Sequence, residues 1–384
     1  MRAATSVYVH FPWCLRKCPY CDFNSYGTPR EDVPHAAYAD AVIRELERRA
    51  PSVEGHALAS VFFGGGTPSL WEPRELGRVL AAIRGTFAQH ADDLEVTVEC
   101  NPTSLDRERA ALLREAGVNR LSIGVQSLDA ERLRFLGRLH DAPMALTAIE
   151  GALLEMERVS ADLIFGNPGQ TPAQFEAELA RILDTGVRHV SAYALTIEQG
   201  TQFGELAKKG RLPLAIEDDV ADTFLAAEAL SASRGLAHYE VSNYAAPGEE
   251  SRHNLHYWRG GAYLGLGAGA VGCLPRPDRS ARRWRDEALP DRYVAAAGTD
   301  AVETWQESLS PDDRVREAFM LGLRTAEGVD LSRLAAATGI DPLAGREAVL
   351  EKRIAKGELR RDGDRLRVPP AHWLVLDSIV SDLF

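Results

Sequence analysis

Short apolar runs alternate with amphipathic stretches along the first half of the chain. Six runs rich in Val, Ile, Tyr or Phe have the character of strands buried on both faces; they cover residues 6–10, 58–63, 94–99, 120–124, 159–165 and 189–196. Helix-like stretches lie between them, at residues 36–49, 74–87, 106–116, 142–157 and 172–184. Six strand–helix units in succession predict a parallel α/β sheet, and their number favours a partial (β/α)6 barrel over a closed eight-unit barrel.

The pattern loosens after about residue 200. Two helical stretches, a short strand, a Gly-rich loop and a polar linker follow, at residues 201–209, 217–234, 238–242, 243–272 and 275–290. Three helical patterns, an Asp-Gly hairpin and a last helix come next, at residues 312–323, 331–338, 342–356, 359–368 and 372–383. This order predicts a small winged-helix-like α+β domain. We expect a barrel over residues 1–235, a barrel-closing segment with a linker over 236–305, and a C-terminal domain over 306–384.

Composition narrows the function classes. Of 384 residues, 45% are apolar and 26% are charged, as in ordinary globular proteins. The net charge is −12 and no run of basic residues stands out, so nucleic acid is not an expected partner, because phosphate contacts need clustered positive charge. The sequence shows neither a secretory signal nor an apolar stretch of 18 residues. We therefore expect no transmembrane segment and a cytoplasmic location, with transient membrane association left open.

Three cysteines lie within eight residues, directly after the first strand: Cys14, Cys18 and Cys21. In a reducing compartment such a group indicates metal binding or redox chemistry rather than disulfides. Structural zinc sites and [4Fe–4S] clusters usually have four protein ligands, so three thiolates on one loop would leave one iron of a cluster open. An incomplete zinc site and three incidental thiols are the alternatives.

Other polar groups stand at the carboxyl ends of the predicted strands. The segment GGGTP at residues 64–68 follows the second strand; glycines let a ligand approach the backbone, although a tight strand-to-helix turn uses them equally. Glu99, Gln126 and Asp162 lie in or after later strands, and Arg138 lies a dozen residues after Gln126. Because the carboxyl ends of parallel strands meet at one edge, these groups are expected to converge on one ligand.

The stretch YVHFPWCLRKCPYCDF at residues 8–23 resembles the radical SAM superfamily, in its coproporphyrinogen-oxidase-like branch. GGGTP, the Glu99 and Asn101-Pro102 segment, GVQS at residues 124–127 and the segment from Asp162 to Thr171 match the same pattern. The resemblance implies that Cys14, Cys18 and Cys21 hold a [4Fe–4S] cluster whose open iron binds S-adenosylmethionine. It implies that further residues line the S-adenosylmethionine site: Tyr8, Tyr20, Gly65, Gly66, Thr67, Glu99, Gln126, Arg138 and Asp162.

A third motif, HNLHYW at residues 253–258, combines imidazoles with flat aromatic side chains. Such a surface suits a porphyrin, and neutral His is a common ligand of heme iron. The alternative is a hydrogen-bonded loop that closes the open side of the barrel. The motif is similar to the HNxxYW signature of heme chaperones in the same branch, which implies a heme site at His253, Asn254, Tyr257 and Trp258.

Two features separate the members of this branch. The oxygen-independent coproporphyrinogen III oxidases carry a further Cys where this chain has Phe23, and a long N-terminal extension where this chain has only a few residues before the first strand. The heme chaperones share both features of this chain. The resemblance therefore implies a [4Fe–4S]- and S-adenosylmethionine-binding heme chaperone that delivers heme to acceptor proteins, with membrane-bound respiratory enzymes among the candidates.

The alternatives are an oxygen-independent coproporphyrinogen III oxidase and a related radical SAM methyltransferase. Whether the chain is an enzyme stays open at this point, and the comparison of branches favours no coproporphyrinogen oxidase activity.

Overall fold

A computed structural model describes residues 3–384 of the chain. Its strands are β1 Ala4–Phe11, β2 Trp13–Cys14, β3 Tyr26–Gly27, β4 Ala57–Gly65, β5 Gln89–Cys100, β6 Arg120–Gln126, β7 Arg158–Phe165, β8 His189–Ala194, β9 Ala237–Glu240, β10 Asn243–Ala245, β11 Ala262–Leu266, β12 Val271–Pro275, β13 Ala281–Asp286, β14 Glu303–Leu309, β15 Val329–Asp330, β16 Arg360–Asp362 and β17 Arg365–Arg367.

The helices have apolar faces that pack on the sheet or within the C-terminal domain. They are α1 His35–Arg49, α2 Pro73–Thr86, α3 Arg107–Glu115, α4 Ala130–Phe135, α5 Ala142–Leu153, α6 Pro172–Leu183, α7 Gln202–Lys208, α8 Glu217–Ser233, α9 Arg252–Trp258, α10 Pro290–Ala296, α11 Pro311–Gly322, α12 Leu331–Thr338, α13 Glu347–Ala355 and α14 Leu376–Ser381. Several begin on the residues that favour a helix start. In α6, for example, Thr171 and Gln174 form a capping box and Pro172 follows the cap.

Six parallel strands form the centre of the main sheet, as the pattern predicts. Over residues 3–384 the sheet has the order β14-β13-β12-β11-β1-β4-β5-β6-β7-β8-β10-β9. From β1 to β8 each neighbouring pair is parallel, and apolar residues such as Val7, Val61, Val96 and Leu121 are fully buried. The partial (β/α)6 barrel is therefore confirmed, and its carboxyl edge carries the candidate residues.

The segment after residue 236 contains more regular structure than the sequence pattern predicts. The expected Gly-rich loop over residues 243–272 contains β10, α9 and β11, and β11 pairs in parallel with β1. The sequence pattern places Gly265 in a loop, yet the structure places it in β11. A Cβ at this position would lie 2.1 Å from the carbonyl oxygen of Val271, so the close backbone packing requires glycine. A glycine that serves close backbone packing in a strand cannot be told from a loop glycine in one sequence.

The prediction of a polar linker over residues 275–290 is also wrong, because this segment contains β13. This strand has the polar sequence ARRWRD, but the large side chain of Trp284 is buried, with 1% of it exposed. The guanidinium of Arg49 lies 4.3 Å from the centre of the Trp284 ring, so a charged neighbour covers the aromatic face. The predicted strand at residues 238–242 corresponds to β9, Ala237–Glu240, which pairs antiparallel with β10.

The C-terminal domain has the predicted winged-helix-like order. Helices α11, α12 and α13 precede the hairpin β16–β17, and β15 joins that hairpin as a third strand. The last predicted helix begins as a 3-10 turn over Pro370–Val375 and continues as α14. Between residues 3 and 384, no helix is long and apolar enough to cross a membrane.

Candidate functional site

The cysteine loop, residues 14–25, leaves the barrel directly after β1. Its ends are held together because β2 and β3 pair in parallel, with Cys14 opposite Gly27. Within the loop, the N–H of Cys21 donates to the carbonyl of Cys18 over 3.2 Å. All three cysteines are free thiols and are partly buried. The fold thus presents the three sulfurs on one short, closed loop.

The donor chemistry of the cysteine loop fits a metal cluster. Burial, with smaller contributions from the neighbouring Cys21 and Cys18, raises the pKa of the Cys14 thiol to about 11. Sulfurs that repel one another as thiolates are stabilised by a bound cation. No group of three His, Cys, Asp or Glu side chains within residues 3–384 is arranged to hold a metal ion as it stands. The cysteine loop therefore suits a metal cluster because of its three sulfur donors.

The glycine segment packs against the base of the cysteine loop. The N–H of Gly66 donates to the carbonyl of Phe11 over 2.7 Å, and that of Thr67 donates to Trp13 over 2.8 Å. A Cβ on Gly66 would lie 2.6 Å from the carbonyl oxygen of Trp13. Gly66 is therefore required by backbone packing, whereas Gly65, with a φ of 111°, turns its N–H toward Glu99.

A cavity of about 280 Å³ opens at the carboxyl edge of the sheet, and we name it the barrel cavity. It is lined by Tyr8, Phe23, Phe62, Gly65, Glu99, Arg120, Ser122, Asp162, His189, Ser191, Tyr193, His253 and Asn254. The structure thus brings Tyr8, Gly65, Glu99 and Asp162 to one cavity. It also brings His253 and Asn254, which belong to the separate motif HNLHYW, into the same wall.

Two carboxyl groups face the barrel cavity. Asp162 accepts hydrogen bonds from the hydroxyls of Ser191 over 2.7 Å and of Ser122 over 2.9 Å. Glu99 accepts from the N–H of Gly65 over 3.0 Å. Burial, with a smaller contribution from the nearby Asp162, raises the pKa of Glu99 to about 8. Burial raises the pKa of Asp162 as well. A ligand with hydroxyl donors or positive charge would relieve both groups.

Arg138, Gln126 and Tyr20, like Gly66 and Thr67, are predicted site residues that do not line the barrel cavity. Arg138 places one guanidinium nitrogen 3.5 Å from the sulfur of Cys18, and another donates to the carbonyl of Gly124 over 2.8 Å. Its Nε is buried without a partner within the described chain. Gln126 has a φ of 67°, in the left-handed region that residues other than glycine rarely adopt. Tyr20 interacts with Arg138.

The motif HNLHYW forms α9, which is anchored by a buried acid. The carboxylate of Glu95, on β5, is fully buried and accepts from the backbone N–H groups of His253 over 2.9 Å and Arg252 over 3.1 Å. It also pairs with Arg158 over 2.7 Å. Arg120 and Arg158 keep the pKa of Glu95 low despite its burial. The first turn of α9 is therefore held on the barrel by an ionised carboxylate.

The side chain of His253 stands between two cavities. Its Nδ1 hydrogen-bonds the hydroxyl of Ser60 over 2.9 Å, and its ring stacks on Phe62 with 4.9 Å between centres. Burial lowers the pKa of His253 to about 3, so the imidazole is neutral. Beyond it lies a second cavity of about 360 Å³, which we name the aromatic cavity. It is lined by Tyr193, Glu240, Val241, Ser242, Asn243, His253, Asn254, Tyr257, Trp258 and Arg324.

Sequence reasoning missed several residues of this site. Ser122, Ser160 and Ser191 each occupy the third position of a barrel strand and donate to Asp162. A serine at the third position of each of three apolar strands is a pattern that the sequence alone shows. Ser60 and Glu240 carry no such signal, because their roles depend on α9 and on the C-terminal domain.

Known families match both parts of the chain. The profile described as the Radical SAM superfamily matches residues 8–182, and the one described as the HemN C-terminal domain matches residues 309–375. Among solved structures, coproporphyrinogen III oxidase (HemN) of Escherichia coli superposes with a TM-score of 0.81 at 22% identity, covering 100% of this chain and 90% of that chain. That likeness shows a shared fold.

Two curated relatives match over almost the whole chain. Heme chaperone HemW of Escherichia coli is 34% identical over 378 residues, which cover 98% of this chain and 97% of that protein. Heme chaperone HemW of Mycobacterium tuberculosis is 36% identical over 381 residues, which cover 98% and 94%. The cysteine loop, the barrel and this similarity agree, and the chain belongs to the radical SAM superfamily, in the family whose curated members are named heme chaperone HemW.

Proposed function

We propose that this chain binds a [4Fe–4S] cluster, S-adenosylmethionine and heme, and that it delivers the heme to acceptor proteins. The similarity to proteins named heme chaperone HemW supports the proposal at the level of the family. The geometry of His253 is the observation that carries it for this chain.

His253 has the chemistry of a heme ligand. The imidazole is neutral, and its Nδ1 is occupied by Ser60. Among the described residues no protein group hydrogen-bonds Nε2. A neutral imidazole with one nitrogen tied and the other free is the form that binds heme iron, and the tie fixes the orientation of the ring. Asn254, Tyr257 and Trp258 are proposed to complete this heme site.

Cys14, Cys18 and Cys21 are proposed as the ligands of the [4Fe–4S] cluster. When bound, the cluster supplies one iron that is open to the amino and carboxylate groups of S-adenosylmethionine. The guanidinium of Arg138 lies beside Cys18 and offsets the negative charge of sulfur ligands. The Nε of Arg138 has no hydrogen-bond partner within the described chain, which supports a position of this side chain next to an acceptor group of a bound ligand.

The barrel cavity is proposed as the seat of S-adenosylmethionine. Glu99 and Asp162 accept hydrogen bonds there, and both carboxyl groups favour a ligand that brings hydroxyls or positive charge. Tyr8 and Gly65 line the same cavity. The other predicted residues, Tyr20, Gly66, Thr67, Gln126 and Arg138, are proposed to shape the passage between the cavity and the cysteine loop.

Anaerobic reconstitution tests the proposal. The purified chain is expected to take up iron and sulfide, to show charge-transfer absorbance, and to bind heme in an absorbance titration. His253→Ala is expected to weaken heme binding, whereas His90→Ala, on the exposed surface, serves as the matched control. Wild-type protein that does not bind heme would remove the proposed function. Overlapping titrations for wild type and His253→Ala would remove only the ligand assignment.

The alternative functions are separated by their products. An oxygen-independent coproporphyrinogen III oxidase would form protoporphyrinogen from coproporphyrinogen III under anaerobic conditions with a reductant. A radical SAM methyltransferase would release S-adenosylhomocysteine and 5′-deoxyadenosine together. Phe23, which lines the barrel cavity and is 55% exposed, stands where the oxidases carry a further Cys. We therefore propose that coproporphyrinogen oxidase activity is not the function of this chain, and the methyltransferase stays the alternative that the product assay tests.

We further propose the division into residues 1–235, 236–305 and 306–384, a cytoplasmic location and transient contact with membranes that hold acceptor enzymes. Limited proteolysis tests the division. Cleavage is expected near residue 235, between α8 and β9, whereas the boundary at residue 305 falls within β14, so cleavage there is expected only after that strand ends at Leu309. Sedimentation with vesicles, with and without an acceptor enzyme, tests the membrane contact. Binding to vesicles that does not depend on the acceptor would contradict delivery through the acceptor.

A further inference from the structure

A row of buried hydrogen bonds runs from the start of α9 to Asp162, and we name it the Asp162 network. Ser251, the N-cap of α9, donates its backbone N–H to the hydroxyl of Tyr239 over 3.2 Å. That hydroxyl lies 2.8 Å from Nε2 of His189. On the other side of the imidazole ring, Nδ1 lies 2.7 Å from the hydroxyl of Ser160, which donates to Asp162 over 3.3 Å. Apart from Asp162, which lines the barrel cavity, these residues are buried.

The two ends of the Asp162 network fix the direction of each hydrogen bond in it. A backbone N–H can only donate, and a carboxylate can only accept. Because Tyr239 accepts from Ser251, its own hydrogen is free to bind Nε2 of His189. Because Ser160 gives its hydrogen to Asp162, it accepts from Nδ1 of His189. His189 is therefore a neutral imidazole with its proton on Nδ1.

The other forms of His189 would leave polar groups without partners. With the proton on Nε2, Nδ1 would take the hydrogen of Ser160, and Asp162 would lose that donor. The hydroxyl hydrogen of Tyr239 would then have no acceptor among residues 3–384. Burial lowers the pKa of His189 well below its ordinary value, which excludes a proton on both nitrogens near pH 7. Unpartnered buried groups are costly, so the fold selects a single tautomer.

We propose, resting on the proposed function, that Tyr239 and His189 are positioning residues for S-adenosylmethionine. They hold Ser160 as a donor to Asp162 and so orient the carboxylate that faces the ligand. Tyr239 lines neither the barrel cavity nor the aromatic cavity, so it acts only through the Asp162 network. Glu95 holds the first turn of α9 separately. Loss of the network is therefore expected to weaken S-adenosylmethionine binding and to leave hemin binding nearly unchanged.

Nitrogen NMR tests the tautomer of His189. The histidine rings of the reconstituted full-length protein are labelled with 15N, and the signals of His189 are those that disappear in His189→Asn. At pH 7 we expect a protonated Nδ1 and an unprotonated Nε2. A protonated Nε2 would overturn the inference, because Ser160 would then donate to the imidazole and not to Asp162.

Calorimetry with S-adenosylmethionine tests the positioning role of Tyr239. Tyr239→Phe is expected to weaken binding about fivefold, because one buried hydrogen bond of the network is lost. Hemin affinity is expected to stay within about twofold of wild type. Tyr244→Phe is the matched control, since Tyr244 is buried and its hydroxyl makes no hydrogen bond among the described residues. A loss of hemin affinity as large as that of S-adenosylmethionine would overturn the inference, because Tyr239 would then support α9 instead.

Two variants of His189 give a second test. Asn and Leu have nearly the same shape, but only the Asn amide can place an N–H where Nδ1 of the imidazole lies. His189→Leu is therefore expected to bind S-adenosylmethionine about fivefold more weakly than His189→Asn. Equal affinities of the two variants, or an unchanged affinity in Tyr239→Phe, would overturn the inference and leave the proposed function intact. Wild type that does not bind S-adenosylmethionine would overturn both.

Discussion

The imidazole of His253 is held by Ser60, 193 residues earlier in the chain, with 2.9 Å between Nδ1 and Oγ. Ser60 lies on β4 and is 1% exposed, and its hydroxyl also contacts that of Ser6 over 2.8 Å. The hydrogen bond joins a central strand of the barrel to α9. The orientation of the proposed heme ligand is therefore set by the barrel and not by its own helix alone.

Ser60→Ala is expected to weaken heme binding about tenfold, because a partner on the second ring nitrogen orients a ligating imidazole. Absorbance titration of hemin measures the effect. Ser6→Ala is the matched control: it removes a hydrogen bond to Ser60 but no contact with His253. Equal affinities for wild type and Ser60→Ala would contradict the positioning role.

Asp162→Asn is expected to weaken S-adenosylmethionine binding about ten- to hundredfold, since hydrogen bonds to a charged acceptor are the strong ones. Hemin binding is expected to stay unchanged, because Asp162 lines the barrel cavity and not the aromatic cavity. Calorimetry and absorbance titration measure the two affinities. The surface variant Asp222→Asn is the control, and parallel losses of both ligands in Asp162→Asn would argue for a folding defect instead.

Gly66→Ala is expected to lower the free energy of unfolding by about 1–3 kcal/mol, because the new Cβ collides with the backbone of Trp13. The collision lies beside Cys14, so iron uptake on reconstitution is expected to fall as well. Gly85→Ala in α2 is the control, since a Cβ there meets nothing within 4 Å. It is expected to leave stability unchanged or to raise it by up to about 1 kcal/mol. Urea unfolding and iron analysis measure both variants.

Glu240 is expected to make the protein less stable as the pH rises. Burial raises the pKa of Glu240 to about 8, so between its unfolded value and pH 8 the folded state holds a proton that the unfolded state has released. The free energy of unfolding then decreases by about 1.4 kcal/mol per pH unit for this one group. Glu240→Gln is expected to remove that slope in urea titrations between pH 5 and pH 8. An unchanged slope would mean that Glu240 titrates near its ordinary value.

The core of the barrel was predictable because its signal is local. The six central strands, β1, β4, β5, β6, β7 and β8, each contain an apolar run, and helices separate these runs along the chain, so strand order follows from chain order. The cysteine loop is equally local, with its three sulfurs inside eight residues. The strands β11 and β13 were missed for two reasons: AYLGL contains a glycine, Gly265, that fits closely against the backbone of Val271, and ARRWRD is polar around Trp284, whose ring packs on the distant Arg49.

By itself, the sequence determined the parallel barrel, the group of three cysteines and the kind of residue that faces each candidate ligand. Only the tertiary structure decided that Asp162 is held by serines of three strands, that Glu95 anchors α9, and that His253 divides two cavities. Apolar periodicity and short spacings are properties of neighbouring residues, so the chain displays them directly. The cavities and buried hydrogen bonds of this site join residues that lie between 29 and 193 positions apart, and they form only once the backbone has folded.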